Sequence, residues 1–289
     1  MRPACERCRG ATVKVRFAVS PGPGPYDSGR FGAFVDGLEA GGFDTMWLSD
    51  IPLGDEVEPI VGLALAAERT ARLMLGANLV PIGRSPVQLA KQLVQLQEAS
   101  GGRILLSLVP GTGSAPERAA LGLGRASRSA AFEAAVAALR RAWDTGAGGA
   151  RRPLELWLGG HGPRALERAG RLGDGWLGAA MTPEEAAAAV ARITAAAASA
   201  GRWIDPEHFG MSIPYARDDP GPGAFEALAS RRPDADPREL LPVGSKAVHR
   251  LLDGYLEAGC SKFVLRPVGV VDLDDELDWL ARTVLPRQS

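Results

Sequence analysis

The chain has 289 residues, with 33 Lys+Arg against 34 Asp+Glu and a formal net charge of −1. That balance removes the electrostatic argument for a nucleic-acid or membrane-surface partner. The 46% hydrophobic and 23% charged residues are those of an ordinary globular protein, and the length fits two average domains or one (β/α)8 barrel of roughly 250 residues.

The opening MRPACERCRGATVK contains no apolar segment of the kind a secretory signal needs. Residues 1–12 therefore read as a disordered N-terminal extension, residues 13–289 as a single domain, and the expected location is cytoplasmic. Cys5 and Cys8 form a C-x-x-C, but no second ligand pair lies nearby and no strand-to-helix junction frames it, so no metal is expected. No stretch offers about 18 uninterrupted apolar residues; the Ala-rich run 186–200 contains Arg192 and reads as a helix in water.

In chain order, Val13–Ser20 predicts a first strand and Phe31–Ala40 an amphipathic helix stopped by Gly41-Gly42. Thr45–Ser49, Leu73–Val80 and Ile104–Val109 predict three more strands, separated by helices over Glu58–Arg69 and Pro86–Ser100. A helix from Ser127 to Trp143 leads to strands at Leu154–Leu158 and Gly175–Gly178, with helices over Pro163–Arg171 and Pro183–Ala200. His208–Ala216 and Lys262–Val268 predict the last two strands, with helices over Ser245–Ala258 and Leu273–Val284. Segments 110–126 and 217–243 read as long irregular loops, a length associated with ligand binding or mobility.

The strands are near-continuous apolar runs, as expected where helices cover the sheet. Eight repeated strand–helix units predict an α/β protein with a (β/α)8 TIM barrel. An open doubly wound sheet is the alternative, but PGPGPYDSG after the first strand is not its glycine fingerprint.

In a barrel the site lies at the C-terminal strand ends. Two loops there suit an anion. Gly159-Gly160-His161-Gly162-Pro163 strips side chains where a helix begins, and its free N–H groups and dipole favour a phosphate. Gly111-Thr112-Gly113 adds a hydroxyl and bare backbone. A tight β-to-α turn accounts for either loop alone; the two on one face point to a phosphorylated ligand. On this reading Gly160→Asp weakens that ligand's binding. Asp50 either meets a ligand's polar edge or caps its own turn, and His161 either serves as an acid or phosphate partner or is an exposed loop residue. With no Ser/His/Asp set, metal cluster or facing carboxylates, a bound cofactor is expected to carry the chemistry.

Leu156-Trp157-Leu158-Gly159-Gly160, then Pro163–Leu166 and Arg171-Leu172-Gly173-Asp174-Gly175-Trp176, resemble the luciferase-like flavin and deazaflavin oxidoreductases. So do Gly42-Phe43-Asp44-Thr45-Met46-Trp47-Leu48-Ser49-Asp50, the run Ser85–Gln92, and Ala258-Gly259 through Arg266-Pro267. The resemblance covers about residues 13–285 and looks nearest to actinobacterial deazaflavin-dependent members. It implies a luciferase-like barrel that binds coenzyme F420, or alternatively FMN, and moves a hydride to or from a small organic substrate. It further implies that Asp50 lies beside the ring, that Asn78–Leu79 backs it, often through a cis peptide, and that Thr112, Gly113, Gly159, Gly160 and Thr182 contact the cofactor. Asp50 and His161 are the catalytic candidates. The expected partners are a small-molecule substrate and a second copy of the chain, without nucleic acid or membrane. Ile51 stands where many members carry a His, and Ser114 where some carry a Glu. A cofactor-binding barrel without turnover is therefore the third reading, beside an F420-dependent oxidoreductase and an FMN-dependent monooxygenase.

Overall fold

The computed structural model describes residues 13–289 apart from 23, 25, 147–153, 270 and 271. The expected extension over 1–12, with Cys5 and Cys8, lies outside the described residues. Eight parallel strands close in chain order: β1 (Arg16–Val19), β2 (Thr45–Ser49), β3 (Met74–Leu79), β4 (Ile104–Leu108), β5 (Leu156–Gly159), β6 (Gly175–Ala179), β7 (Phe209–Tyr215) and β8 (Lys262–Pro267). β8 returns to β1 in the register Arg16↔Lys262 to Val19↔Leu265. The helices are α1 (Ser28–Gly41), α2 (Pro59–Arg69), α3 (Pro86–Ala99), α4 (Ala115–Ala120), α5 (Arg128–Asp144), α6 (Pro163–Leu172), α7 (Pro183–Ser199), α8 (Pro222–Arg231), α9 (Pro237–Leu240), α10 (Ser245–Glu257) and α11 (Leu273–Thr283).

The predicted (β/α)8 barrel is therefore the fold, with strand ends within a few residues of their expected positions. The two segments expected to be irregular hold α4, α8 and α9. α4 and α9 span six and four residues, so their apolar period is too brief to register in sequence, and α8 is a Pro-led segment in a run rich in Pro, Gly and Asp that reads as loop.

Side chains alternate across each strand. Phe17, Met46, Leu48, Leu75, Leu106 and Phe263 join the main core with helix residues such as Phe34, Leu93 and Ile193. Ala18, Trp47, Leu177 and Val264, with Leu105 and Trp157, form a separate cluster inside the barrel. This cluster also lines a recess of about 330 Å³ that opens at the N-terminal strand ends beside Arg16, Thr45 and Lys262, and the alternation brings smaller, polar residues to the other end.

Local signals set the helix starts. Ser85 caps α3 by accepting from the Gln88 N–H, with Pro86 in the first turn. Thr182 and Glu185 make a reciprocal capping box on α7. Gly42 ends α1 in the left-handed region at φ 76°.

Candidate active site

Continuing the inward alternation past Trp47 and Leu105 leads to Ser49, Asn78 and Ser107 at the barrel mouth. These three are register neighbours on β2, β3 and β4. Asn78 Oδ1 and Ser107 Oγ are buried and have no hydrogen-bond partner among the described residues. Buried polar atoms are normally paired, so an unpaired row at the ligand end of a barrel is a place to look for a ligand. Gly159 stands beside this row: a Cβ there would lie 2.7 Å from Val109 Cγ1 and 3.7 Å from Ser107 Oγ.

A cavity of about 280 Å³ opens across the mouth, over β1, β2, β7 and β8, with α8 along one side. Ser20, Ser49 and Pro214 line it from the strand ends, and Tyr26, Glu56, Arg231 and Arg266 carry its titratable groups. Tyr26 Oη, Glu56 Oε2 and Arg266 Nε are buried without partners among the described residues. Burial raises the Tyr26 phenol above its ordinary value, more than Arg30 and the Gly22 backbone lower it. A second recess of about 310 Å³ shares Ser49, Ile51, Glu56 and Val57 and continues toward Asp50 and Arg84.

The sequence-predicted residues fall into separate groups. Asp50 is held: its Oδ2 accepts from the Val80 N–H at 2.9 Å and from Arg84 Nη2 at 2.8 Å, and its side chain is 6% exposed. It fastens the end of β3 to the β2 loop, while its neighbour Ser49 faces the cavity. The same fastening bears on the expected strand-3 feature. All peptide bonds among the described residues are trans, so the Asn78–Leu79 bond is not cis. β3 stays paired through Leu79↔Leu108, and the next N–H goes to Asp50, leaving a regular strand. Leu79 packs its side chain in the core under the helices, so only its backbone faces the barrel mouth.

Thr112, Gly113, Gly159, Gly160 and Thr182 lie at the ends of β4, β5 and β6, across the barrel from the cavity. The Thr112 N–H donates to Glu117 Oε1 at 2.9 Å, and its hydroxyl donates to Glu117 Oε2. The Glu117 carboxylate, on α4, thus fills the anion position of this loop from within the chain. Arg128 lies over the same loop, donating to the Gly111 carbonyl at 2.7 Å. The β5 loop differs. Its Gly160 carbonyl accepts from Trp176 Nε1 at 2.9 Å, and α6 begins at Gly162 with no side-chain cap. Pro163 has no N–H and the Ala165 and Leu166 N–H groups donate to the Gly162 carbonyl, so this start offers an anion the helix dipole and the Arg164 N–H rather than a full set of donors. The Thr182 hydroxyl caps α7. His161 is exposed on the rim and does not line the cavity.

Sequence reading missed Arg266, Arg231, Glu56 and Tyr26. Arg266 was visible as the end of the last strand, but whether a charge has a partner depends on neighbours far away in the chain. Among the described residues there is no group of three or more metal-ligating side chains and no helix long and apolar enough to cross a membrane.

The fold and mouth thus define a TIM barrel with a largely apolar cavity, set with a few polar and charged groups, at the C-terminal ends of its strands. The chain belongs to the luciferase-like monooxygenase family, which it matches over residues 11–221. It is 32% identical over 177 residues to a phthiodiolone/phenolphthiodiolone dimycocerosates ketoreductase of Mycobacterium sp. (strain JLS), covering 53% of this chain and 46% of that one. It is 30% identical over 180 residues to a 5,10-methylenetetrahydromethanopterin reductase of Methanolobus tindarius, covering 57% and 54%. The chain therefore spans about half the length of these relatives. Its fold matches that of the coenzyme F420 dependent tetrahydromethanopterin reductase from Methanopyrus kandleri, with a TM-score of 0.75, 19% identity, and 96% and 100% of the two chains covered. An F420-dependent secondary alcohol dehydrogenase in complex with an F420-acetone adduct matches with a TM-score of 0.76 and 16% identity, covering 96% and 100%.

Proposed function

We propose that the chain is an oxidoreductase that uses coenzyme F420 to move a hydride to or from a small organic substrate. The observation that carries this reading is the unpaired polar row of Asn78 and Ser107 beside Gly159, at the mouth of a luciferase-like barrel. The F420-dependent proteins that share the fold add support to the choice of deazaflavin.

The residues present suit such a cofactor in part. Asn78 Oδ1 can accept from, and the Ser107 hydroxyl can donate to, the polar edge of a planar ring. Gly159 leaves the space that a Cβ would take. The uncapped start of α6 suits a phosphate better than the β4 loop, where Glu117 already holds the Thr112 donors. The deazaflavin, when bound, supplies two-electron hydride chemistry; the protein supplies position and polarity. The Tyr26 hydroxyl and the Glu56 carboxylate, both on the cavity wall, are the groups able to exchange a proton with a substrate. Asp50 serves this site as a positioning residue, through Val80 and Arg84.

Titration of the purified chain with F420 and with FMN, read by cofactor fluorescence, tests the reading. Saturable F420 binding at least tenfold tighter than FMN binding is expected. Asn78→Ala or Ser107→Ala should each weaken it by roughly tenfold, the worth of one buried hydrogen bond. Tight FMN binding with none for F420 would replace this reading with the monooxygenase one. Binding without hydride exchange across a broad substrate screen would indicate a barrel without turnover.

A further inference from the structure

Arg266, next to the last residue of β8, lines the mouth cavity; its Nε is buried without a hydrogen-bond partner, and among the described residues it forms no ion pair. A cation partly buried without a counter-charge, with one N–H shut off from water and unpaired, is costly, and something else is expected to meet it. Its nearest charged influence makes the situation worse. Arg231, at the last turn of α8, lines the same cavity, and after burial itself it is what lowers the proton affinity of Arg266. An arginine stays protonated regardless, so two cations face one small space. Glu56 is the carboxylate on the wall, and it does not neutralise them: its Oε2 folds back over Gly54, where a Cβ would be only 1.8 Å away. Tyr26, the remaining titratable group on the wall, is a neutral phenol.

The rest of the wall is apolar, with Val57, Pro214, Leu228 and Leu241 among its residues. At about 280 Å³ the cavity lies near the lower end of the ~300–1,000 Å³ typical of ligand pockets. It lies over β7, β8, β1 and β2, opposite the β5 loop, whose helix start suits a cofactor phosphate. We infer that this cavity receives the substrate, and that the substrate is a small organic acid, a carboxylate or phosphate on a short apolar body, met by Arg266 and Arg231. The guanidinium fork suits either head group, because both present two oxygens in its plane. The role of this acid as substrate rests on the oxidoreductase reading; the anion site does not.

The test uses the full cofactor-free chain and three probes of matched body: hexanoate, hexyl phosphate and neutral hexanol, each titrated by calorimetry. At least one acid should bind ten times or more tighter than hexanol, and the stronger of the two identifies the head group. Arg266→Met should abolish the preference, and Arg231→Gln should reduce it several-fold. Arg266→Met should also melt no lower than the parent, because it keeps the apolar stem and removes a charge whose Nε is buried without a partner. Equal affinity for acids and alcohol, no acid binding at all, or a preference that survives Arg266→Met would overturn the inference. Arg231→Gln, at an exposed helix end, keeps the test informative if Arg266→Met fails to fold. Repeating the titration with saturating F420 or FMN separates the two readings. Acid binding that persists beside the cofactor supports a substrate site, and displacement by the cofactor assigns the arginines to the cofactor's own anion and overturns it. If neither cofactor binds while the acid does, the oxidoreductase reading fails and the anion site stands.

Discussion

Gly162→Asp separates two roles that the start of α6 can have. A Cβ at 162 would meet nothing within 4 Å, and the backbone is extended at φ −70°, so an aspartate fits. It would cap the helix and raise stability by about 0.5 kcal/mol, while placing a carboxylate where a cofactor phosphate is expected. The expected result is a slightly higher melting temperature with F420 binding weakened by tenfold or more. Unchanged binding in the stabilised variant would move the phosphate elsewhere. Gly160→Asp, the substitution that the sequence pointed to, is a poorer probe. Gly160 has φ 117° and its Cβ would lie 2.8 Å from that of Ala165, so the fold itself would suffer. Asp50 carries the same lesson. Its height at the end of β2 was legible, but which side of the strand it serves was not, because that depends on Val80 and Arg84, thirty or more residues away.

At the scale of elements, the position of α8 matters most, since it brings Arg231 to the cavity. Its C-terminal end is anchored by Arg232, which donates to the Ala180 carbonyl, to Glu185 Oε1 at 2.7 Å and to Asp234 Oδ1 at 2.9 Å. Arg232 holds the Glu185 carboxyl below its ordinary value of 4.5, and likewise lowers Asp234. A carboxylate with a depressed value in the folded state favours folding fully above the unfolded value and loses that contribution as pH falls through the folded one. Thermal stability should therefore fall on acidification below about pH 4.5, and Arg232→Met should flatten that part of the profile. An identical slope in the variant would mean that this cluster does not govern the acid limb. The helix itself was not legible: a proline-led segment among Arg, Asp and Gly reads as loop, and only its packing beside the barrel mouth makes it a wall.

For the whole molecule, the closure of β8 onto β1 and the helical shell make the interior one protected unit. Cys260, just before β8, is fully buried, and burial pushes its thiol up to about 12. In a chain with Cys5→Ser and Cys8→Ser, Cys260 should resist a thiol reagent at pH 8 until denaturant opens the barrel. Rapid labelling in native buffer would show that the α10–β8 region opens independently. The sequence by itself determined the barrel, because buried parallel strands and covering helices impose periods that survive in one dimension. It also marked the glycine loops, since missing side chains are a local property. Only the tertiary structure decided which charged groups are already satisfied. Glu117 fills one anion loop and Arg84 holds Asp50, whereas the buried Nε of Arg266 has no partner among the described residues, and each outcome rests on the tertiary packing that no local pattern encodes.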